Sequence, residues 1–472
     1  MDTPVPAYRK QPLSHQSCVE AAIEIPNLVL LQLKHIRGGP EILRKYANVS
    51  LPSDNLKAAV MLIQTDATTP DLECGPYSIR HPSDGSSATV RRMLADIREL
   101  APVIAGRVAQ FDAERRMSLD VVDMLRSMGV FRVFAPRSYG GLEIDLPLAV
   151  QVITALARID GSLGWTAMIG SGSAIFPPLL PKETYHQIYR NGPDVILGGS
   201  AAPVGTAELA AGGWRVTGRW PFASGCLHAD WLIGLCVMME DGEPIPGEAG
   251  ISGSPTIRGF ALPAHEWLIE DTWYVAGLKG TGSNHIALTD KLVPAANFFD
   301  LNGPSCVPGP LYRGLLPSLP LLHGAFAVGM AQGALDELLA MANTGRQQLR
   351  AATAMRDSET FQLELGRVAA DVRAMPAVHQ AQVASHWQHA LAGTLRDEAR
   401  YVESTQTGIW LANTAVRVAD ACFSLGGGSA LYETSPLQRR MRDMHAAAQH
   451  AAVQQRHNVG AGKLLLAAST AA

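Results

Sequence analysis

From Val90 onward apolar residues recur at helical spacing: Val90, Leu94, Ile97, Ile104 and Val108 lie three, four or seven positions apart, the period of a helix with one buried face. Pro102 sits inside this run and marks a kink or a boundary. Ser118 is a suitable N-cap for a second helix carrying Leu119, Val122 and Leu125. The turn-rich APRSYGGLEIDL (135–146) leads into the apolar helices LPLAVQVITALARI and GSLGWTAMIGSGSAIF. Near Asp194 the pattern changes to strands. WRVTGRWPF, WLIGLCVMM, IRGFALP and HIALTDKLVP are short and rich in β-branched and aromatic residues, with Gly, Pro and Asp clusters between them.

After Leu316 the helical period returns. HGAFAVGMAQGALDELLAMA, FQLELGRVAADVRAM, ARYVESTQTGIWLANTAVRVADACF and SPLQRRMRDMHAAAQHAAVQQR follow one another, the succession of an antiparallel bundle. The chain reads as an α+β protein: a helical domain over 86–193, a middle β domain over 194–312 and a C-terminal helical bundle over 313–472. Residues 1–85 read as an extension of unassigned role. They are mixed polar text with one apolar run, ending in the linker-like RHPSDGSSAT.

The composition narrows the function classes. At 472 residues, 47% hydrophobic and 17% charged, the chain supports two or three domains around a large core. A formal charge of -4 offers no basic field for nucleic acid or for an anionic membrane, which leaves small molecules and other copies of the chain as the expected partners. Six scattered cysteines form no C-x-x-C pair, so neither a zinc site nor a disulfide framework is expected, and a reducing cytoplasm fits. The run IPNLVLLQL is too short for a membrane span. No G-x-G-x-x-G joins a strand to a helix, and no Walker A motif is present. Redox chemistry here is therefore not expected to use a resident nicotinamide.

Four stretches carry a family resemblance: GRWPFASGCLHADW (218–231), AGLKGTGS (276–283), HGAFAVGMAQGALDELL and SALYETSPLQRRMRDMHAAAQH. Together with the helical, β, helical-bundle order they resemble the acyl-CoA dehydrogenase superfamily, from about residue 90 to the end. Within it they are most similar to the flavin-dependent monooxygenases, the oxygenase halves of two-component aromatic hydroxylases and their N- or S-oxidising relatives. The resemblance implies a central β-barrel, a C-terminal four-helix bundle and a homotetramer. It also implies reduced FMN or FADH2 delivered by a separate NAD(P)H-dependent flavin reductase, with dioxygen activated as a C4a-hydroperoxide.

The resemblance also points to residues. A dehydrogenase of this superfamily carries a carboxylate at one of two places. These correspond here to Thr434, with Glu433 one residue away, and to Gly345 ahead of Arg346. Both positions lack the base. His450 corresponds to a histidine beside the flavin and the substrate hydroxyl, where an imidazole can orient or deprotonate a phenol. His445 and His450, about 140° apart on one helix, do not share a face. Arg439, Arg440 and Arg442 read as a solvated or subunit-facing surface.

Ser224 and Ser200 are expected to stabilise the oxygen adduct, with Trp220 and Phe222 as a wall that keeps it dry. The Gly225 amide is expected to reach the flavin, Gly280, Thr281 and Ser283 to touch its phosphate or ribose, and Arg313 to approach it. Trp165 and Ser173 are expected in the substrate pocket. Ser173 stands where many phenol hydroxylases have a histidine, and with Gly170, Ser171 and Gly172 it implies a wider pocket. That leaves fused-ring, heteroatom and sulfur substrates open. Two rivals remain: an acyl-CoA dehydrogenase-type flavoprotein and a non-catalytic scaffold of the same fold.

Overall fold

The computed structural model describes residues 84–247, 254–347 and 351–471, so the proposed extension over 1–85 falls almost wholly outside the described residues. Helix α1 (Asp84–Ala105) begins inside the stretch read as linker, and Pro102 lies within it. α2 (Val108–Glu114), α3 (Leu119–Ser127), α4 (Leu146–Ile159), α5 (Gly161–Gly172) and α6 (Lys182–Tyr189) complete the first helical region. The buried face of α1 is the one its spacing predicts: Val90, Ile97 and Ile104 are all at most 2% exposed.

Among the described residues the middle region is a mixed nine-stranded sheet of β1 (Leu197–Gly199), β2 (Gly205–Ala210), β3 (Gly213–Trp220), β4 (Trp231–Glu240), β5 (Glu243–Pro244), β6 (Ile257–Pro263), β7 (Leu268–Glu270), β8 (His285–Val293) and β9 (Phe298–Phe299). Its order is β7-β8-β3-β2-β4-β6-β9, with β1 and β5 pairing β4 off that path. β1 and β2 run parallel to β4, and the other pairs are antiparallel. The end strands β7 and β9 do not pair, so the expected barrel is corrected to an open sheet. Its core is an aromatic cluster in which Trp220 meets Phe260 and Trp267 at ring separations of 5.7 and 5.2 Å. Gly205 and Gly218 abut the Trp220 ring; a side chain at either would collide with it.

The C-terminal region contains α7 (Leu315–Ala342), α8 (Glu359–Ala392), α9 (Glu398–Gly426), α10 (Pro436–Ala447) and α11 (Asn458–Ala471). α7 is long and apolar enough to cross a membrane, yet it is the central helix of this core and packs on α9 and α4. A helix apolar all round belongs in such a position. Close approach to α4 depends on small residues: a Cβ at Gly329 would run into the carbonyl of Thr154.

Candidate active site

Where α5, α7, the β1 end and the segment after α10 meet, they enclose a cavity of about 100 Å³. Met168, Ile169, Gly172, Ser173 and Phe176 line it from α5 and the turn after it, Gly198 to Ala201 from β1, and Leu319, Leu322 and His323 from α7. His450 closes it. An engineered apolar cavity of roughly 150 Å³ holds benzene, so this space takes at most one small ring. Of the small residues expected to widen it, only Gly172 and Ser173 line the cavity; Leu322 lies against Gly172, and Gly170 faces Phe131 and Ile196 instead.

His450 reaches the cavity differently from the sequence expectation. α10 ends at Ala447, and His450 follows in extended conformation (φ -64°, ψ 139°) as the N-cap of a short 3-10 turn, Ala451–Val453. Its Nδ1 accepts the Ala452 amide at 3.2 Å. In a neutral imidazole the proton then sits on Nε2. Ala-rich text after His445 favours helix by propensity; here the capping imidazole turns the chain away instead.

His323 was not singled out from the sequence. Its ring stacks on His450 with centroids 4.2 Å apart and planes tilted by 30°. Burial pushes the His450 imidazole down to about 4, and burial with the neighbouring His450 holds His323 well below the ordinary histidine value. Both rings are therefore neutral at physiological pH. A signal was available: from Leu315 to Gly333, His323 is the sole titratable residue in an apolar run.

Trp165 joins the two histidines to the sheet. Its ring lies 5.3 Å from His323 and 5.6 Å from His450, and its Nε1–H donates to Ser224 Oγ at 3.0 Å. Ser224 Oγ is 2.8 Å from Ser283 Oγ, which is 2.7 Å from Thr281 Oγ1, which donates to the Leu278 carbonyl at 2.8 Å. Each hydroxyl has one proton. Thr281 gives its own to the carbonyl, so Ser283 donates to Thr281 and Ser224 donates to Ser283. The Ser224 proton is thereby committed, which corrects the reading of Ser224 as a donor to an oxygen adduct. Ser200, on the cavity wall, accepts the Ala202 amide at 3.4 Å, and its proton has no protein acceptor among the described residues.

Other expected site residues fall elsewhere. Trp220 is fully buried in the sheet core and donates to the Leu235 carbonyl at 2.7 Å, so it is no pocket wall. Phe222 is 66% exposed, although its φ of 61° is a costly conformation for a bulky residue. The Gly225 amide donates to the Thr281 carbonyl at 3.3 Å and the Gly280 amide to Ser162 Oγ at 3.1 Å. Gly280, Thr281 and Ser283 are buried, so they hold this hydroxyl chain in place and do not face a phosphate. Arg313 caps α8 through the carbonyls of Ala390 and Leu391.

Glu433 and Thr434 are exposed, and Gly345 lies in the turn beyond α7. His445 is half-exposed and pairs with Asp420 at 2.8 Å. Arg440 corrects the surface reading of its cluster: at 3% exposure it binds Glu337 and the carbonyls of Ala157, Arg158 and Ile159 that end α4. Next to it, Asp443 accepts the Leu278 amide at 2.6 Å. Burial, then the nearby Asp160, raises the Asp443 carboxyl. The described residues contain no group of His, Cys, Asp and Glu able to hold a metal ion.

Residues 87–184 match the family model "Acyl-CoA dehydrogenase, N-terminal domain" and residues 321–455 match "Acyl-CoA dehydrogenase, C-terminal domain". An indole-3-acetate monooxygenase of Pseudomonas putida is 32% identical over 350 residues, covering 73% of this chain and 86% of its own. The oxygenase component of an FADH(2)-dependent resorcinol hydroxylase from Rhizobium sp. is 30% identical over 380 residues, covering 76% and 90%. The crystal structure of the HsaA monooxygenase from M. tuberculosis superposes with a TM-score of 0.72 at 27% identity, over 80% of this chain and 99% of that one. The chain belongs to the acyl-CoA dehydrogenase superfamily. Within it, the chain is an oxidoreductase of the flavin-dependent monooxygenase branch, whose members are oxygenase components of two-component systems.

Proposed function

We propose that the protein hydroxylates a small aromatic substrate with dioxygen and a reduced flavin, FADH2 by analogy with the resorcinol hydroxylase relative, supplied by a separate NAD(P)H-dependent reductase. The observation that carries this reading is the pair of neutral imidazoles, with no carboxylate, on the floor of a one-ring cavity. Removal of an α-proton from an acyl thioester needs a carboxylate at the Glu433–Thr434 approach or at Gly345; both side chains at the first face solvent, and the second is a glycine.

The loop at Phe222 fits a flavin. An apolar ring held outward at positive φ gains by being covered with a flat aromatic system. Beside it the bridge between Gly199 and Ser224 brings Ser200 near the same loop. When bound, the flavin supplies the two electrons and the oxygen-activating carbon. Phe222 would cover one face of it, Ser200 would offer its free hydroxyl proton, and the apolar cavity wall would exclude water from the reacting atoms. His450 would donate from Nε2 to a substrate oxygen.

The exposed apolar residues Val459, Leu465 and Leu466 of α11 favour burial against further copies, in keeping with a homotetramer. The free thiols Cys226, Cys236, Cys306 and Cys422 suit a reducing cytoplasm. The test pairs the protein with a generic flavin reductase, NADH and a panel of hydroxyaromatic compounds. Oxygenated product in proportion to NADH consumed is expected. A tightly bound oxidised flavin, bleached without oxygen by an acyl-CoA, would instead establish the dehydrogenase.

A further inference from the structure

We propose that His323, and not His450, is the catalytic residue that takes the substrate's hydroxyl proton, while His450 donates to the same oxygen. The inference rests on the hydroxylase reading above and adds to it a residue and a division of roles. Both rings line one cavity and stack 4.2 Å apart. An oxygen lying between their edges can stand at hydrogen-bond distance, about 2.9 Å, from a nitrogen of each ring.

The two imidazoles differ in what they can offer. His450 has Nδ1 occupied by the Ala452 amide, so its cavity-facing capacity is the Nε2–H, a donor. Accepting a proton at Nε2 would first require His450 to shift its own proton to Nδ1 and break the bond that caps the 3-10 turn. His323 has no such commitment. Among the described residues no protein group hydrogen-bonds either nitrogen, so its tautomer is free and one nitrogen always carries a lone pair. The cavity lining holds no Lys, Arg, Asp or Glu. The preferred ligand there is therefore uncharged, and the two rings together recognise one neutral hydroxyl as acceptor and donor at once.

The chemistry balances on these groups. As the ring carbon forms its bond to the transferred oxygen atom, the substrate O–H bond breaks and its electron pair becomes part of a C=O bond. The proton moves to the free nitrogen of His323. Loss of hydrogen from the hydroxylated carbon restores the aromatic ring, and His323 returns its proton to the oxygen. The other atom of dioxygen leaves as water, with the reduced flavin as the two-electron donor. A weak base suffices, because a phenol oxygen becomes far more acidic once its ring has lost electron density to the incoming oxygen.

The experiment uses resorcinol and its dimethyl ether as probes. Calorimetry on the flavin-free protein measures binding, and the reductase-coupled assay measures product against hydrogen peroxide. The wild type should prefer resorcinol by about tenfold, the worth of a buried hydrogen-bonding match. His323→Phe keeps a stacked ring without nitrogens and should lose most of that preference. His323→Gln can accept a hydrogen bond but takes no proton; it should keep the preference while most of the oxygen consumed appears as hydrogen peroxide. Wild-type product yield in His323→Gln, or an intact preference in His323→Phe, overturns the assignment, provided each variant melts as the wild type does. A misfolded His323→Phe leaves the glutamine variant to decide. Should the wild type discriminate between the probes and His323→Phe not, while no hydroxyaromatic compound is oxygenated, the hydroxylase reading fails and His323 stands as a hydroxyl reader. If it fails to discriminate, the His323 assignment falls.

Discussion

Trp165 Nε1 donates to Ser224 Oγ at 3.0 Å, across 59 positions of sequence, and so ties a helix of the first region to a loop of the sheet. Both side chains are buried. Ser224→Ala leaves the indole N–H without a partner, and an unsatisfied buried donor costs about 1–3 kcal/mol. Chemical denaturation should show a loss of that size, and no loss at all would mean that the indole finds another acceptor. Trp165→Phe removes donor and demand together and should perturb Ser224 less than its lost volume perturbs the histidine pair.

Arg440 is a buried guanidinium whose donors are used on Glu337 and three helix-end carbonyls. Arg440→Ala strands Glu337 and uncaps α4, for which about 3–5 kcal/mol is expected. His445→Ala, which breaks an exposed pair, should leave the unfolding midpoint within error of the wild type. Equal effects of the two substitutions would contradict the burial assigned to Arg440.

Histidine burial sets the acid response. His228, His379, His386 and His450 are each pushed from 6.5 down to about 4, with burial as the first cause. A group with a depressed folded value contributes stability that is whole above 6.5 and is lost as pH falls toward 4. The melting temperature should therefore drop through that window. His379→Gln, which replaces a ring donating to the Leu321 carbonyl at 2.8 Å, should flatten the decline. A melting temperature that holds steady from 6.5 to 4 would refute the account.

Asp443 titrates with the opposite sign. Its carboxyl is raised from 3.8 to about 7 by burial and then by Asp160. Its contribution is present below 3.8 and lost as pH rises through about 7. Asp443→Asn keeps an acceptor for the Leu278 amide and removes the buried charge. Relative to wild type, the variant should gain stability progressively from 3.8 to about 7 and hold that gain above. A variant that gains nothing across this range would show the carboxylate to be stabilised by its arginine neighbours.

Periodicity made the helices legible, because their apolar stripes face one core; Val90, Ile97 and Ile104 are instances. Closure of the sheet was not legible. It depends on whether β7 and β9 meet, which no local pattern encodes. His450 could be placed in the site by resemblance but not in its conformation, since an imidazole capping a turn overrides the helix propensity of the alanines around it. His323 was visible as the odd residue of an apolar helix, yet its role depends on a ring from a segment 127 positions later. Trp220 and Phe222 look alike in the motif, and only the three-dimensional fold separates a core ring from an exposed one.

The series of hydroxyls running from the Trp165 indole to the Leu278 carbonyl begins at a group that holds its hydrogen tightly and ends at an amide oxygen that gains none at ordinary pH. Its orientation cannot reverse, and it cannot act as a Grotthuss wire. This chain therefore offers no route to a hydrogen ion liberated by the chemistry, so disruption of the Ser283 and Thr281 end should cost rigidity and leave the kinetic solvent isotope effect unchanged.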